Sequence, residues 1–120
     1  MSIRNSLAKR LILERTLEVE VFCEDTTWGS LLVEAKVDTG ADSCSIDSDL
    51  ADFLGWEVLG QRTIRSANGK QVRDYGSGNV TIDGEEFSMV ATFADRRKLT
   101  HPILVGCDLL DVIMDLAEEE

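Results

Sequence analysis

The stretch from Ala35 to Ile46 reads AKVDTGADSCSI and is the most informative part of the sequence. It begins with residues typical of a buried strand, and that strand ends at Asp38. Thr39, Gly40 and Ala41 follow directly, and residues this small let the backbone turn tightly and let another chain approach closely. A carboxylate in such a turn can accept hydrogen bonds from nearby amides and so be held in one orientation. On these residues alone, Asp-Thr-Gly is equally compatible with an ordinary turn after a strand.

A second informative segment lies near the C-terminus, where Pro102 to Leu110 reads PILVGCDLL. This pattern predicts an apolar strand, a glycine and the start of a helix. Between the two segments, Asn68-Gly69 separates two strand-like runs and predicts a β-hairpin with a tight turn. A hairpin in this position is long enough to fold over a cleft. The order along the chain is therefore an acidic turn, a hairpin, and an apolar strand that leads into a helix.

Most of the remaining chain is predicted to form short strands. Leu17 to Val21 alternates apolar with acidic residues, which predicts a half-buried strand, and Leu31 to Val37 predicts a second one. Asp83-Gly84 predicts another hairpin turn. Gly76 and Gly78, which lie between the two hairpins, predict a flexible point or a bulge.

Helix is scarce in this pattern. One short helix is predicted over Ser48 to Leu54, with Asp47 or Ser48 as its cap and Gly55 as its stop. A second is predicted over Leu109 to Leu116. The fold class is therefore all-β, a small closed barrel with one or two short helices. We divide the chain into an N-terminal arm (1–16), one domain (17–116) and an acidic tail (117–120).

Composition excludes several classes of function. The 120 residues suffice for one domain, and 12 Lys and Arg against 23 Asp and Glu give a net charge of −11. Nucleic acid is an unsuitable partner, because a phosphate backbone is bound by clustered cations. No window is apolar enough to span a membrane, so we expect no membrane partner. An odd number of cysteines and no signal-like N-terminus predict reduced thiols and a cytoplasmic location.

The ligand supply for metals is poor. The sequence has one histidine, His101, and three separated cysteines, so we expect no structural zinc. The acids that begin at Asp38 do not form a calcium loop, because Gly40, Ser43 and Asp49 occupy the positions that require an oxygen ligand, a glycine and a glutamate.

Several other side chains are given structural interpretations. His101 is expected at the surface or at a strand edge, and Cys44 and Cys107 are expected to be small core residues rather than nucleophiles. Asp95 to Lys98 is expected to be a solvated loop. The tryptophans are expected to anchor the core or an interface; they are Trp28 and Trp56.

In the order of its motifs, the sequence resembles the retropepsin-like aspartic peptidases over roughly residues 17–115. Within that family it is most similar to bacterial and phage proteins labelled ATP-dependent zinc proteases. That similarity lies in KVDTGA at 36–41, RSANG at 65–69, FADRR at 93–97 and PILVG at 102–106. The label implies zinc and ATP, but the sequence has neither a phosphate-binding loop of the Gly-x-x-x-x-Gly-Lys type nor a His-Glu-x-x-His motif. We therefore expect no cofactor.

The resemblance implies a role for each residue of the acidic turn. Asp38 matches the catalytic acid, and Thr39 matches the residue whose hydroxyl braces the partner's loop. Gly40 matches the residue that lines the substrate. Ala41 and Asp42 match positions that contact the substrate, with Asp42 holding its backbone.

The resemblance also implies a flap and a second loop. Ser66 to Gly78 would be the flap, and substrate contacts are expected from residues of its tip, namely Ser66, Ala67, Asn68 and Gly69. Val105 and Gly106 complete the expected substrate-binding set, with Gly106 as the packing point of the second loop. Cys107 departs from the viral pattern, which often has an arginine here that pairs with the acid at the position of Asp42.

The resulting hypothesis is an aspartic endopeptidase whose partner is a peptide or protein substrate. Since each chain supplies one Asp-Thr-Gly and the chemistry needs two carboxylates, the resemblance implies a homodimer with one Asp38 from each subunit. The alternative is a retropepsin-like module for binding or assembly with little or no turnover, because a motif does not prove activity.

Overall fold

The computed structural model describes residues 15–22, 29–66 and 69–118. Most of the predicted arm, the end of the acidic tail, Cys23, Trp28, Ala67 and Asn68 lie outside these residues. Within the described ranges the chain forms seven strands and two helices. They are β1 (Thr16–Phe22), β2 (Ser30–Val37), β3 (Cys44–Asp47), α1 (Ser48–Leu54), β4 (Gly60–Ser66), β5 (Gly69–Ile82), β6 (Glu85–Ala94), β7 (Ile103–Val105) and α2 (Cys107–Glu118).

Six of the strands close into a mixed barrel in the order β1, β2, β7, β3, β6 and β5. The barrel closes where β5 returns to β1, with Glu20 opposite Thr81 and Val21 opposite Val80. The β2–β7 and β3–β6 pairs are parallel, and the other pairs are antiparallel. The predicted closed all-β barrel with two short helices is confirmed.

Strand β4 extends the sheet beyond the barrel. It pairs with the first half of β5, from Gly60 opposite Tyr75 to Ser66 opposite Gly69. The two strands form a long hairpin, which we call the flap hairpin. Its turn is placed differently from the prediction, because Gly69 already pairs in β5. Since Ser66 pairs with Gly69, the two residues between the paired ends are at positions 67 and 68, whereas the prediction placed Asn68 and Gly69 there.

The core lies inside the barrel and extends beneath both helices. Leu17, Val19 and Val21 are buried, as the alternation in β1 predicted, while Glu18 between them is exposed. Burying three such side chains favours folding by about 1.5 to 3 kcal/mol each. The same core holds, among others, Ile46, Leu54, Met89, Ile103 and Ile113.

Helix α1 has the predicted bounds and caps. The Asp47 carboxylate accepts a hydrogen bond from the Leu50 amide, and Gly55 ends the helix in the left-handed conformation at φ 81°. Helix α2 begins two residues before the predicted start, because its first turn already includes Cys107 and the Leu110 amide donates to the Gly106 carbonyl. In the described part of the chain, neither helix has the length and apolar character needed to cross a bilayer.

The second hairpin is confirmed at Asp83-Gly84. Ile82 pairs with Glu85, and the two turn residues have φ values of 52° and 79°, as a type I′ turn requires.

The predicted flexible point or bulge at Gly76 and Gly78 is wrong. Strand β5 runs through both glycines, and its pairing with β6 is continuous from Tyr75 to Ile82. A Cβ at Gly78 would overlap the Trp56 ring, and one at Gly76 would meet the Glu57 carbonyl and the Phe93 ring. These glycines are therefore required for close packing rather than for flexibility.

Candidate active site

The acidic turn comprises residues 38–43, between β2 and β3. Backbone hydrogen bonds hold it in place. The Asp38 amide donates to the Val105 carbonyl at 3.0 Å, and the Ala41 amide donates to the Asp38 carbonyl at 3.2 Å. One carboxylate oxygen of Asp38 accepts the Gly40 amide at 2.9 Å. The carboxylate is partly exposed. It is thus fixed in orientation and still accessible.

The second loop, which joins β7 to α2 at Gly106, packs against the acidic turn. The Cys107 amide donates to the Ala41 carbonyl at 2.8 Å, and the Asp108 amide donates to the Asp42 carbonyl at 3.2 Å. A Cβ on Gly106 would overlap the backbone of Ser43, so only glycine permits this approach. The first turn of α2 and the acidic turn therefore form one packed unit.

A cleft of about 670 Å³ lies between the acidic turn and the flap hairpin. Three of the predicted site residues line it: Gly40, Ala41 and Asp42. Side chains of β4 and β5 form the facing wall, and Ser45 and Thr92 belong to the strands of the barrel. A chain segment bound here would pass beside the turn that holds Asp38.

Asp38 and Thr39 line a second recess, of about 570 Å³, together with residues of α2. Its apolar lining comes from Val37, Leu110 and Met114. The Asp-Thr-Gly turn thus separates a cleft beneath the flap hairpin from a recess beside α2 that has both apolar and charged lining residues.

Among the described residues, three other predicted substrate contacts do not line the cleft, namely Gly69, Val105 and Gly106. Val105 is buried in the core, and Gly106 is buried against the acidic turn. Gly69 is exposed on the flap hairpin. Ala67, Asn68 and the side chain of Ser66 lie outside the described residues.

The comparisons with known proteins agree with this geometry. A family model described as aspartyl protease matches residues 25–109, which is more than half of the chain. The chain belongs to the aspartyl protease family. A search of curated proteins finds no significant match.

A solved structure shows the same fold. It is a protein of unknown function (DUF785) from Legionella pneumophila, with 17% sequence identity and a TM-score of 0.52. The similarity covers 82% of this chain and 85% of that one. At this identity the likeness extends to the fold alone.

The two described cysteines have different surroundings. Cys44 is buried, its thiol donates to an Asp108 carboxylate oxygen at 3.2 Å, and burial raises its pKa to about 12. It is therefore a protonated core residue, as predicted. Cys107 is only partly buried, and its thiol donates to the Thr39 carbonyl at 3.2 Å. Cys107 thus contacts the acidic turn instead of pairing with Asp42, which forms no ion pair with any described residue.

Sequence reasoning missed the cationic wall of the cleft. Asp95 to Lys98 was expected to be a solvated loop, and Asp95 and Arg97 do form an exposed ion pair at 2.8 Å. Arg96 departs from that expectation, because it lines the cleft and its guanidinium donates to the His101 carbonyl at 3.0 Å. The signal available in the sequence was the charged FADRR segment, but which arginine enters the cleft depends on the fold.

His101 lies near the start of β7, as expected for a strand-edge residue. Its ring nitrogens contact the Thr100 hydroxyl at 2.8 Å and the Glu34 carboxylate at 2.9 Å. Among the described residues, no three His, Cys, Asp or Glu side chains are grouped so that they could hold a metal ion.

Proposed function

We propose that this protein is an aspartic endopeptidase that forms a homodimer and activates water between two copies of Asp38. The observation that carries the proposal is the Asp38 turn itself. One oxygen of the carboxylate is held by the Gly40 amide at 2.9 Å, and the group remains accessible beside a cleft that a peptide can enter.

The chemistry of the proposed site requires a pair of carboxylates. Two like charges a few ångströms apart cannot both ionise, so the pair shares one proton. The ionised carboxylate removes a proton from water as the water attacks the peptide carbonyl. The protonated carboxylate polarises that carbonyl and then assists departure of the amine. No covalent intermediate forms.

The proposal of a dimer is supported by the surface around Asp38. The recess on the α2 side exposes part of the Met114 side chain, which association would remove from water. Gly40 and Ala41 add little bulk, so a two-fold related turn could approach closely. A net charge of −11 per chain opposes association, so low salt should weaken the dimer.

A second candidate is a binding or assembly module of the same fold. The observation that favours it is Cys107, which contacts the Thr39 carbonyl, whereas Asp42 lacks the ion pair of the viral pattern among the described residues. Such a module would bind peptides and would not hydrolyse them.

A peptide library separates the two candidates. The purified protein is incubated with the library at several pH values, and new chain ends are identified by mass spectrometry. An endopeptidase produces defined cleavage sites, and an active-site inhibitor of the pepstatin type blocks them. Peptide binding without cleavage at any pH would contradict the proposed enzyme and favour the binding module.

Within the aspartyl protease family, we place this chain near the bacterial and phage proteins labelled ATP-dependent zinc proteases. The support is the set of shared segments at 36–41, 65–69, 93–97 and 102–106. Zinc does not fit the described side chains, because no three His, Cys, Asp or Glu residues among them are grouped as ligands.

Chelation is therefore expected to have no effect. EDTA should leave both the melting temperature and the rate of peptide hydrolysis unchanged, because no step of the proposed mechanism uses a metal. The measurement is thermal unfolding and hydrolysis before and after dialysis against EDTA, with elemental analysis of the sample. A large fall in melting temperature together with stoichiometric zinc would overturn the expectation, since structural zinc contributes greatly to folding.

A further inference from the structure

The cleft is cationic in a strongly acidic protein. Four of the eight arginines line it, from a chain whose net charge is −11. They are Arg62 and Arg65 on β4, Arg73 on β5 and Arg96 after β6. The acid among the lining residues is Asp42. Positive charge is thus concentrated at the site while the rest of the chain is acidic.

None of the four arginines forms an ion pair with a described carboxylate. Arg62 lies over the Tyr75 ring at 4.4 Å, Arg73 donates to the Gln71 side chain at 3.0 Å, and Arg96 donates to the His101 carbonyl. Neutral partners of this kind position a guanidinium and leave its charge available.

Arg96 is held through its backbone as well as through its side chain. Its backbone amide donates to the Asp47 carboxylate at 2.8 Å, which ties the Arg96 loop to the start of α1. Burial lowers the pKa of Arg96, the positive charge of Arg73 lowers it further, and Asp47 acts in the opposite direction. Placing two such cations near each other is unfavourable until an anion enters between them.

The barrel side of the cleft provides a second, independent indication of a ligand. Ser45 is 6% exposed, and its hydroxyl has no hydrogen-bond partner among the described residues. Buried hydroxyls are normally paired, because leaving one unpaired costs free energy. Ser45 lines the cleft beside guanidinium groups that have no carboxylate partner among the described residues. Its hydroxyl can donate a hydrogen bond to a carboxylate oxygen of a ligand.

We infer that this cleft selects peptide substrates that carry acidic side chains next to the bond to be cleaved. The inference deepens the proposed function and rests on it. Arg96 and Arg73 bind the substrate carboxylate, because guanidinium groups form strong, directed hydrogen bonds with carboxylates. The Ser45 hydroxyl completes the site. Nucleic acid, whose phosphates also attract arginine, is disfavoured by the acidic remainder of the chain.

The first test compares two peptides that differ at one position. The site of cleavage is found with the library, and glutamate and glutamine versions are then made at each position flanking it. We expect kcat/KM for the glutamate peptide to exceed that for the glutamine peptide by about tenfold at the preferred position, since hydrogen bonds to charged groups are the strong ones. The preference should shrink as salt is raised. Equal kcat/KM values at every position would overturn the inference and leave the peptidase intact.

Arginine variants locate the preference in the cleft. Arg96→Gln and Arg73→Gln should each lower kcat/KM for the glutamate peptide about tenfold more than kcat/KM for the glutamine peptide, so that the glutamate preference is lost. Arg97→Gln is the matched control, because its side chain is 72% exposed and paired with Asp95 outside the cleft. Since Arg96 also holds its loop, Arg73→Gln keeps the test decisive if Arg96→Gln unfolds. A preference that survives in folded Arg73→Gln and in folded Arg96→Gln would contradict the assignment.

A binding measurement separates this inference from the proposed function. Asp38→Asn protein is titrated with fluorescent glutamate and glutamine peptides and with a single-stranded oligonucleotide, and anisotropy is recorded. Tighter binding of the glutamate peptide supports the inference even if no peptide is ever hydrolysed. Equal affinity for the two peptides, or tighter binding of the oligonucleotide, would overturn it.

Discussion

Replacing Asp38 with asparagine is expected to reduce peptide hydrolysis by about a thousandfold or more, because an amide cannot accept the proton of the attacking water. The fold should be preserved. The asparagine side-chain oxygen can still accept the Gly40 amide, which lies 2.9 Å from the Asp38 carboxylate. Hydrolysis is followed with a quenched fluorescent peptide, and the melting temperature is measured on the same sample.

Asp52→Asn is the control for this substitution. Asp52 is exposed on α1 and lines neither the cleft nor the recess beside Asp38, so its hydrolysis rate should equal that of the wild type. Wild-type activity in folded Asp38→Asn protein would rule out an aspartic mechanism. A loss of activity that accompanied unfolding would instead show that Asp38 is needed for structure.

Replacing Gly106 with alanine is expected to have the second-largest effect. The added Cβ would overlap the backbone of Ser43 and lie 2.9 Å from the Ala41 carbonyl oxygen, and backbone atoms cannot move aside as a flexible side chain can. We expect the free energy of unfolding to fall by about 3 kcal/mol, at the upper end for overpacking. Because Ala41 and Ser43 belong to the acidic turn, hydrolysis should fall as well. Urea unfolding and peptide hydrolysis measure the two effects.

Gly84→Ala provides a matched comparison for Gly106→Ala. Gly84 has φ 79°, and no atom lies within 4 Å of the position that a Cβ would take, so this variant suffers backbone strain without a clash. A cost of about 1 kcal/mol and unchanged hydrolysis are expected. If Gly106→Ala were no more destabilising than Gly84→Ala, the tight packing of the second loop against the acidic turn would be refuted.

Features that depend on local sequence were predictable. The alternation of apolar and acidic residues in β1 predicted the buried face of that strand, and the capping residues Asp47 and Gly55 predicted both ends of α1. The Asp83-Gly84 turn requires positive φ at two successive residues, a conformation that this dipeptide adopts readily. In each case the residues that determine the structure are within a few positions of each other.

Features that depend on distant contacts were not predictable. Gly78 packs against Trp56, which is far away in the sequence, so the glycine was misread as a bulge. Arg96 and Arg97 look alike in the sequence, yet Arg96 lines the cleft and Arg97 pairs with Asp95 at the surface. The unpaired Ser45 hydroxyl likewise becomes evident only when the barrel encloses it. The acidic turn could therefore be located from the sequence, and the chemistry of the cleft wall could not.

A subunit-mixing experiment shows whether two copies of Asp38 share one active site. Wild-type protein is equilibrated with excess Asp38→Asn protein, and exchange of chains is verified with differently labelled subunits. A shared pair of carboxylates predicts that each mixed dimer is inactive, so an about ninefold excess of mutant should lower activity per wild-type chain about tenfold. Activity that follows only the amount of wild-type chain after verified exchange, or an active species that sediments as a monomer, would contradict an active site shared between subunits.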